Sequence, residues 1–303
     1  MSRLPNLSNI QVMIAIVTYN GENYIKDCLN SIVTKSNCQI HVLDNNSTDR
    51  TTTIVEKEFP NVHLTRSSDN LGFGKANNFL LELACQKDLD YVFLLNQDAY
   101  FIGECLDKLL ISAQKFGNQI YSPVHFKKDE LTLDEGFSSY TQEGKNFNKL
   151  DFVNAAAWLI PISIVRLVGG FSPLFYHYGE DRDYANRLMY YGHYFCVIEE
   201  AKLVHNREQK PWVNNKENLL KYSNRFYINM LRYFTDINRG LLFCILITTK
   251  NTLGDFINQM ISGKWKLGVR NLGMYLWCYT QLGMILKCRR ISKTQNGAFL
   301  KIT

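Results

Sequence analysis

The sequence predicts an α/β protein with a doubly wound, parallel sheet and a helical C-terminal extension. Three observations carry that expectation. Short apolar runs ending on polar residues alternate with segments of helical spacing, the pattern of strand–helix–strand units joined by right-handed crossovers. The 303 residues are 46% hydrophobic and 20% charged, an ordinary globular composition with enough length to bury a sizeable core. The net charge of +6 is divided unevenly: residues 202–303 carry 17 Lys and Arg against 4 Asp and Glu, or +13, leaving −7 on residues 1–201.

In order, Gln11–Asn20 is an apolar run with a polar end and predicts the first buried strand. Gly21 and Glu22 turn the chain into a helix marked by Tyr24, Ile25, Cys28, Leu29, Ile32 and Val33. Gln39–Leu43 is a second strand. The polar cluster Asp44–Asp49 then opens a helix over about 50–59, with Ser47 or Asp49 as its cap and Pro60 as its stop. Val62–Thr65 is a third strand, and Asn70–Asn78 leads into a helix ending near Gln86. Asp90–Ala99 is an almost wholly apolar run that stops on Asn96, Gln97 and Asp98. Ligands of open α/β sheets bind beyond the carboxyl ends of the strands. Asp98, delivered there, either holds a divalent metal against a bound diphosphate or simply begins a turn.

Residues 120–133 predict a strand pair and 134–149 a polar loop. Phe152–Pro161 reads as a strand, and 162–168 as a short helix stopped by Gly169-Gly170. A helix over 184–191 is closed by Gly192. Tyr194–Ile198 is a further strand, and Lys202–His205 delivers a histidine after an apolar pair. Gly72-Phe73-Gly74 is too short and too late for a dinucleotide fingerprint. Eight cysteines without a CxxC pair predict reduced thiols in a cytoplasmic chain, and no signal sequence precedes the first strand. His41 and His63 read as ordinary strand residues, and His177 and His193 receive no role.

In the extension, Glu217–Phe234 is amphipathic with basic residues on its polar side. Leu241–Thr248 is apolar but far short of the ~20 residues that span a bilayer. Leu272–Leu286 is interrupted by Gln281 and Gly283 and flanked by Lys287, Arg289 and Arg290. Two or three helices packing on the α/β unit are expected, either as plain core or at an anionic membrane surface. No nucleic-acid motif accompanies the basic charge.

Six segments, in order, resemble the family 2 glycosyltransferases of GT-A fold, over roughly residues 11–210. They are Ile16–Asn20, Leu43–Asp49, Asn70–Asn78, Leu95–Asp98, Gly169–Phe171 and Tyr178–Asp183. Within that family the likeness is to the rhamnosyltransferase-like branch that builds surface polysaccharides. The resemblance implies a GT-A, Rossmann-like fold with a mixed, mainly parallel sheet. It implies a catalytic domain over 1–210, its nucleotide-sugar half at about 1–100 and its acceptor half at about 101–210, before the extension at 211–303. It further implies inverting transfer from a nucleotide-diphospho-sugar, dTDP-rhamnose or a UDP-sugar, to a hydroxyl of a glycan or lipid-linked acceptor.

The implied site follows residue by residue. Thr18, Tyr19, Asn20, Asp44, Asn46, Asn70, Gly72, Phe73, Lys75, Asn78, Asn96 and Gln97 would bind the nucleotide-sugar. Asp44 is otherwise an Asx-turn or cap, and Lys75 a solvated helix residue. The family's Asp-X-Asp reads Asn96-Gln97-Asp98 here, one carboxylate short, so a Mn²⁺ or Mg²⁺ ion would rest on Asp98, phosphate oxygens, waters and His205. Asp181 is the implied general base, with Glu180 beside it, although acids at a helix start are also common caps. Ala156, Trp158 and Asp183 would line the acceptor and sugar site, Trp158 being equally a core residue. Two other classes stay open: a sugar-phosphate nucleotidyltransferase, which would want a glycine-rich loop after the first strand, and a non-catalytic carbohydrate- or nucleotide-binding protein.

Overall fold

The computed structural model describes residues 6–87, 89–139, 141, 147–206 and 216–302, without the side chains of 216–221 and 223. The expected domain boundary at 210–211 lies outside the described residues. Among the described residues eight strands form one sheet: β1 (Gln11–Thr18), β2 (Asn37–Asp44), β3 (His63–Arg66), β4 (Tyr91–Asn96), β5 (Ala99–Ile102), β6 (Ile120–Phe126), β7 (Ala157–Pro161) and β8 (Phe195–His205). Their spatial order is β3-β2-β1-β4-β7-β6-β8-β5.

The first half is parallel throughout, β3 to β2 to β1 to β4. β7 then joins β4 antiparallel, and β6 and β8 run parallel to each other beyond it. The doubly wound expectation thus holds for the first half, and the sheet as a whole is mixed and mainly parallel. β1 shows why: Met13 and Ala15 enter one core while Val12, Ile14 and Ile16 enter the other. Alternation with apolar residues on both sides requires helices on both faces.

One face carries α3 (Gly72–Gln86), α6 (Ile162–Val168) and α7 (Glu180–Tyr190). The other carries α1 (Ile25–Asn30), α2 (Thr51–Glu58) and α4 (Cys105–Phe116). Helix α4 is an element beyond those expected from the sequence; its Cys105, Leu106, Leu109, Leu110 and Ala113 recur at helical spacing and are all buried. The strand pair expected over 120–133 is one strand plus a single bridge from Phe126 to Leu133. The loop that follows contains a short helix, α5 (Glu135–Ser138), whose cap is Asp134 accepting from the Phe137 amide at 3.0 Å. The runs at 194–198 and 202–205 are one strand, with a register shift opposite Pro123 and Val124. All eight cysteines are free, and all but Cys38 are buried.

The extension folds as α8 (Lys216–Thr235), α9 (Leu241–Ile261), α10 (Trp265–Thr280) and α11 (Leu282–Ser292). Among the described residues no helix is long and apolar enough to cross a membrane. A third core joins α8, α10 and α11 through Leu231, Phe234, Tyr275, Cys278 and Ile285, and reaches Phe175 of the α/β unit. The last residues return to the α/β unit: Gly170 donates its amide to the Ala298 carbonyl at 2.7 Å, and Lys301 its amide to Glu82 at 2.7 Å.

Candidate active site

Paired strand ends place the first group of residues. Thr18 and Asp44 are register partners at the carboxyl ends of β1 and β2. The Thr18 hydroxyl donates to Asp44 Oδ1 at 3.0 Å, and the Ser47 amide donates to Asp44 Oδ2 at 2.9 Å. Asp44 therefore does hold the turn, yet about two of its four acceptor positions remain for another donor. Asn20 lies in the left-handed region at φ 47°, which asparagine tolerates. Its side-chain oxygen accepts from the Thr48 amide at 2.9 Å, and its own amide donates to Ser47 Oγ at 2.9 Å. Asn46, also left-handed at φ 68°, and Tyr19 are exposed at the rim.

Gln97 clamps this rim to β4: its amide group receives the Tyr19 N–H and donates to the Tyr19 carbonyl, each at 3.0 Å. Asn96 donates its amide to the Ala156 carbonyl at 2.9 Å, extending the β4–β7 ladder by one rung. A parallel clip sits at the start of α3. Asn45, buried and unread in the sequence, accepts from the Leu71 amide at 2.7 Å and donates to Asn70 Oδ1 at 2.9 Å. Gly72 has φ 77°, and a Cβ there would lie 2.7 Å from the Tyr176 carbonyl, so only glycine lets residues 173–179 cross over α3. Phe73 is half-buried with its edge towards Phe171, and Lys75 is exposed.

Asp98 and His205 come together through the sheet. Ala99 and His205 are register partners of β5 and β8, and the Asn206 amide donates to the Asp98 carbonyl at 2.7 Å. This sets His205 Nε2 3.5 Å from Asp98 Oδ1. His205 is buried, while Asp98 keeps 24% of its side chain exposed. On the other side of the ring, Nδ1 lies 4.0 Å from Asp134 Oδ2. At that distance Nδ1 makes no hydrogen bond to Asp134, and it is buried without a hydrogen-bond partner among the described residues. Among the described residues, no group of three or more His, Cys, Asp or Glu converges on one metal position.

The acidic cluster opens α7. Tyr178 and Gly179 both have positive φ, 71° and 91°, and turn the chain sharply before Glu180. Ile228 of α8 packs so closely on Gly179 that a Cβ would meet it at 2.7 Å. The three acids then diverge. Asp183 is buried in an ion pair with Arg187 at 3.0 Å, and Arg187 also donates to the carbonyls of Val168 and Gly170. Glu180 is buried, and its Oε2 has no hydrogen-bond partner among the described residues. Burial, then the neighbouring charge of Asp181, pushes its carboxyl up to about 7. Asp181 alone is half-buried and accepts from the Arg182 amide at 2.7 Å. Burial raises its pKa, and the Arg182 amide together with the Arg232 guanidinium of α8 pulls it back. Between α7 and α8 opens a polar cavity of about 670 Å³ whose lining includes Arg182, Asn186, Asn229, Arg232 and Tyr233. A more apolar one of about 410 Å³ lies between α8 and residues 174–178.

The profile of Glycosyl transferase family 2 matches residues 13–164, half of the chain. The chain belongs to that family. It is 25% identical to the dTDP-rhamnosyl transferase RfbF of Shigella flexneri, across 65% of this chain and 69% of that protein. A 94-residue stretch is 32% identical to the SPbeta prophage-derived glycosyltransferase SunS of Bacillus subtilis, covering 31% of this chain and 21% of that one. Among solved structures, the mannosyltransferase PcManGT of Pyrobaculum calidifontis, in complex with GDP-Man and Mn²⁺, superposes with a TM-score of 0.57 at 15% identity. That match covers 92% of this chain and 82% of PcManGT. TarS 1–349 of S. aureus, in complex with UDP, superposes with a TM-score of 0.54 at 15% identity, covering 84% and 72%. These likenesses show the fold, a GT-A-like sheet with a helical C-terminal extension.

Three expected site residues of this glycosyltransferase turn out to be packing residues. Trp158 is fully buried among Phe171, Tyr184 and Phe195, so its ring offers no face to a sugar. Asp183 is committed to Arg187. Asn78 clamps the backbone of Phe171, donating to its carbonyl at 2.9 Å and accepting from its amide at 2.6 Å. Gln97 is likewise occupied by Tyr19, which makes it a positioning residue, and Ala156 is buried with its carbonyl on Asn96.

Glu180 gives a stability prediction. Its carboxyl is raised from 4.5 to about 7, so between those values the fold keeps a proton that the unfolded chain has lost. Stability therefore falls as pH rises through that window and is level above it. Glu180→Gln removes the effect and should stabilise the protein by roughly 1–3 kcal/mol at pH 8 but little at pH 4. Thermal melts at the two pH values check this; an equal gain at both would contradict it.

Proposed function

We propose that this glycosyltransferase moves a sugar, with inversion, from a nucleotide-diphospho-sugar to a hydroxyl of a glycan or lipid-linked acceptor in surface polysaccharide synthesis. Asp181 is the general base, and the observation that carries the reading is the separation of the three acids on α7. Asp183 is neutralised by Arg187 and Glu180 is buried with its carboxyl raised to about 7, whereas Asp181 is half-buried and its charged neighbours Arg182 and Arg232 line the polar cavity. Asp181 takes the proton of the acceptor hydroxyl as that oxygen bonds to the anomeric carbon. The bond from that carbon to the diphosphate breaks, and the nucleoside diphosphate leaves with the electron pair. One displacement inverts the centre, and the side chains that line the polar cavity suit the hydroxyls of an acceptor.

On the donor side, Thr18, Asp44 and the rim of Tyr19, Asn20 and Asn46 are assigned to the nucleoside, with Asn70, Gly72, Phe73 and Lys75 towards the diphosphate. The chemistry of Asp98 and His205 fits a divalent cation: a carboxylate suits Mn²⁺ or Mg²⁺, and the imidazole Nε2 beside it would add a nitrogen ligand. A cation held there would neutralise charge developing on the departing diphosphate. The Mn²⁺ and GDP-Man of PcManGT and the dTDP-rhamnosyl activity in the name of RfbF support a metal-assisted donor site and make dTDP-rhamnose the first donor to try, before UDP-sugars.

The test is a panel of nucleotide-sugars with Mn²⁺ or Mg²⁺ and a lipid-linked acceptor, read by nucleoside diphosphate release and by NMR of the new linkage. Release with the opposite anomeric configuration is expected. Retained configuration, or no release with any donor, would overturn the reading.

A further inference from the structure

Helices α9 and α10 expose a second set of apolar residues beyond those that enter the third core. A surface helix ordinarily buries its apolar stripe and exposes its polar face. The residues that α9 buries are Cys244, Thr248 and Thr252, while Leu242, Leu246, Leu253, Ile257 and Ile261 lie exposed, Leu242 at 70% and Ile261 at 81%. Those five recur at intervals of four and seven residues, which puts them on one face of the helix. On α10 Trp265, Val269, Leu276, Trp277 and Tyr279 are exposed, and the buried residues are Gly268, Asn271, Tyr275 and Cys278. Residues 242–286 contain 14 of the 24 exposed large hydrophobic residues of the described chain. Exposed apolar side chains concentrated in this way mark a binding face.

The charges around that face name its partner. Lys250, Lys264, Lys266 and Arg270 are exposed on or between the two helices, and Lys287, Arg290 and Lys293 are exposed on and just after α11. The only acid between 242 and 293 is Asp255. It is half-buried and accepts from Tyr222, Gln259 and Asn271. A second copy of the chain would set these cations against their like, whereas an anionic lipid surface complements them. The helices are unsuited to crossing a bilayer, so the apolar stripe would lie in the plane of the interface.

We propose that the outward face of the α9–α10 hairpin, flanked by the basic end of α11, docks on an anionic lipid surface. The apolar stripe enters the headgroup boundary, and the lysines and arginines engage lipid phosphates. Docking uses none of the residues assigned to transfer, so either reading can fail without the other.

The experiment is flotation of the full chain with phosphatidylcholine vesicles, with and without phosphatidylglycerol. Two variants accompany it, L246S/I257S for the stripe and K264E/K266E/R270E for the charge. The wild type should float with anionic vesicles only, and each variant should lose about tenfold or more of that partition. Because the substituted side chains are exposed, melting temperatures should stay within a few degrees of wild type. Nucleoside diphosphate release measured without vesicles should be unaltered. A wild type that floats with neither vesicle would overturn the proposal, as would variants that float equally well. So would a wild-type dimer in solution that the stripe variant converts to monomer without any vesicle binding.

Discussion

Asp181→Asn is expected to lower turnover by roughly 10²–10⁴-fold, with donor affinity within about twofold of wild type. The amide is isosteric with the carboxylate and keeps an oxygen for the Arg182 N–H, so the turn into α7 is preserved. What it loses is the capacity to accept a proton. Calorimetric donor binding, alongside steady-state rates, separates this from a folding defect. The wild-type rate should fall as pH drops through the pKa of Asp181, because the base works only when ionised. Burial already raises that pKa, and the Arg232 guanidinium opposes the rise. Arg232→Leu should therefore move the acid limb of the profile to higher pH, while a substitution that merely loosened α8 would lower the rate without moving the limb.

Arg187→Leu is expected to destabilise the fold by about 3–5 kcal/mol, the cost of leaving one partner of a buried ion pair behind. Asp183 would remain buried at 2% exposure without its counter-charge. The carbonyls of Val168 and Gly170 would lose donors at 2.7 and 2.6 Å. Those carbonyls belong to the turn between α6 and the loop towards Glu180, so the pair anchors the acidic cluster from behind. Adding Asp183→Leu should recover much of the loss, since a buried pair replaced by apolar groups costs far less than a broken one. Urea unfolding of the single and double variants measures both quantities.

The parallel half of the fold was legible because β1, β2 and β4 are apolar runs buried on both faces, each stopping on polar residues. The antiparallel entry of β7 was not, because nothing in Ala157–Pro161 states its direction. The four-residue β5 carries too little pattern to be read, yet its register with β8 is what brings Asp98 to His205. Both residues were candidates from the sequence, and only pairing across more than a hundred residues of chain makes them neighbours. Asp134 looked like the start of a loop and proves to stand behind His205. Trp158 could be either platform or core, and the aromatic cluster around it decides for core. The Asp183–Arg187 pair is the missed signal most available in the sequence, since an acid and an arginine four apart on a helix share a face. Arg232 was beyond reach, for only the docking of α8 carries it to Asp181.

The donor site at the carboxyl edge of the sheet is tested most directly by calorimetric titration with dTDP, UDP and GDP, each with and without Mn²⁺. At least one nucleoside diphosphate should bind, more tightly with the metal, and Asp98→Ala or His205→Ala should abolish the metal-dependent increment while leaving weak, metal-independent binding. The same increment in both variants as in wild type would contradict this donor site.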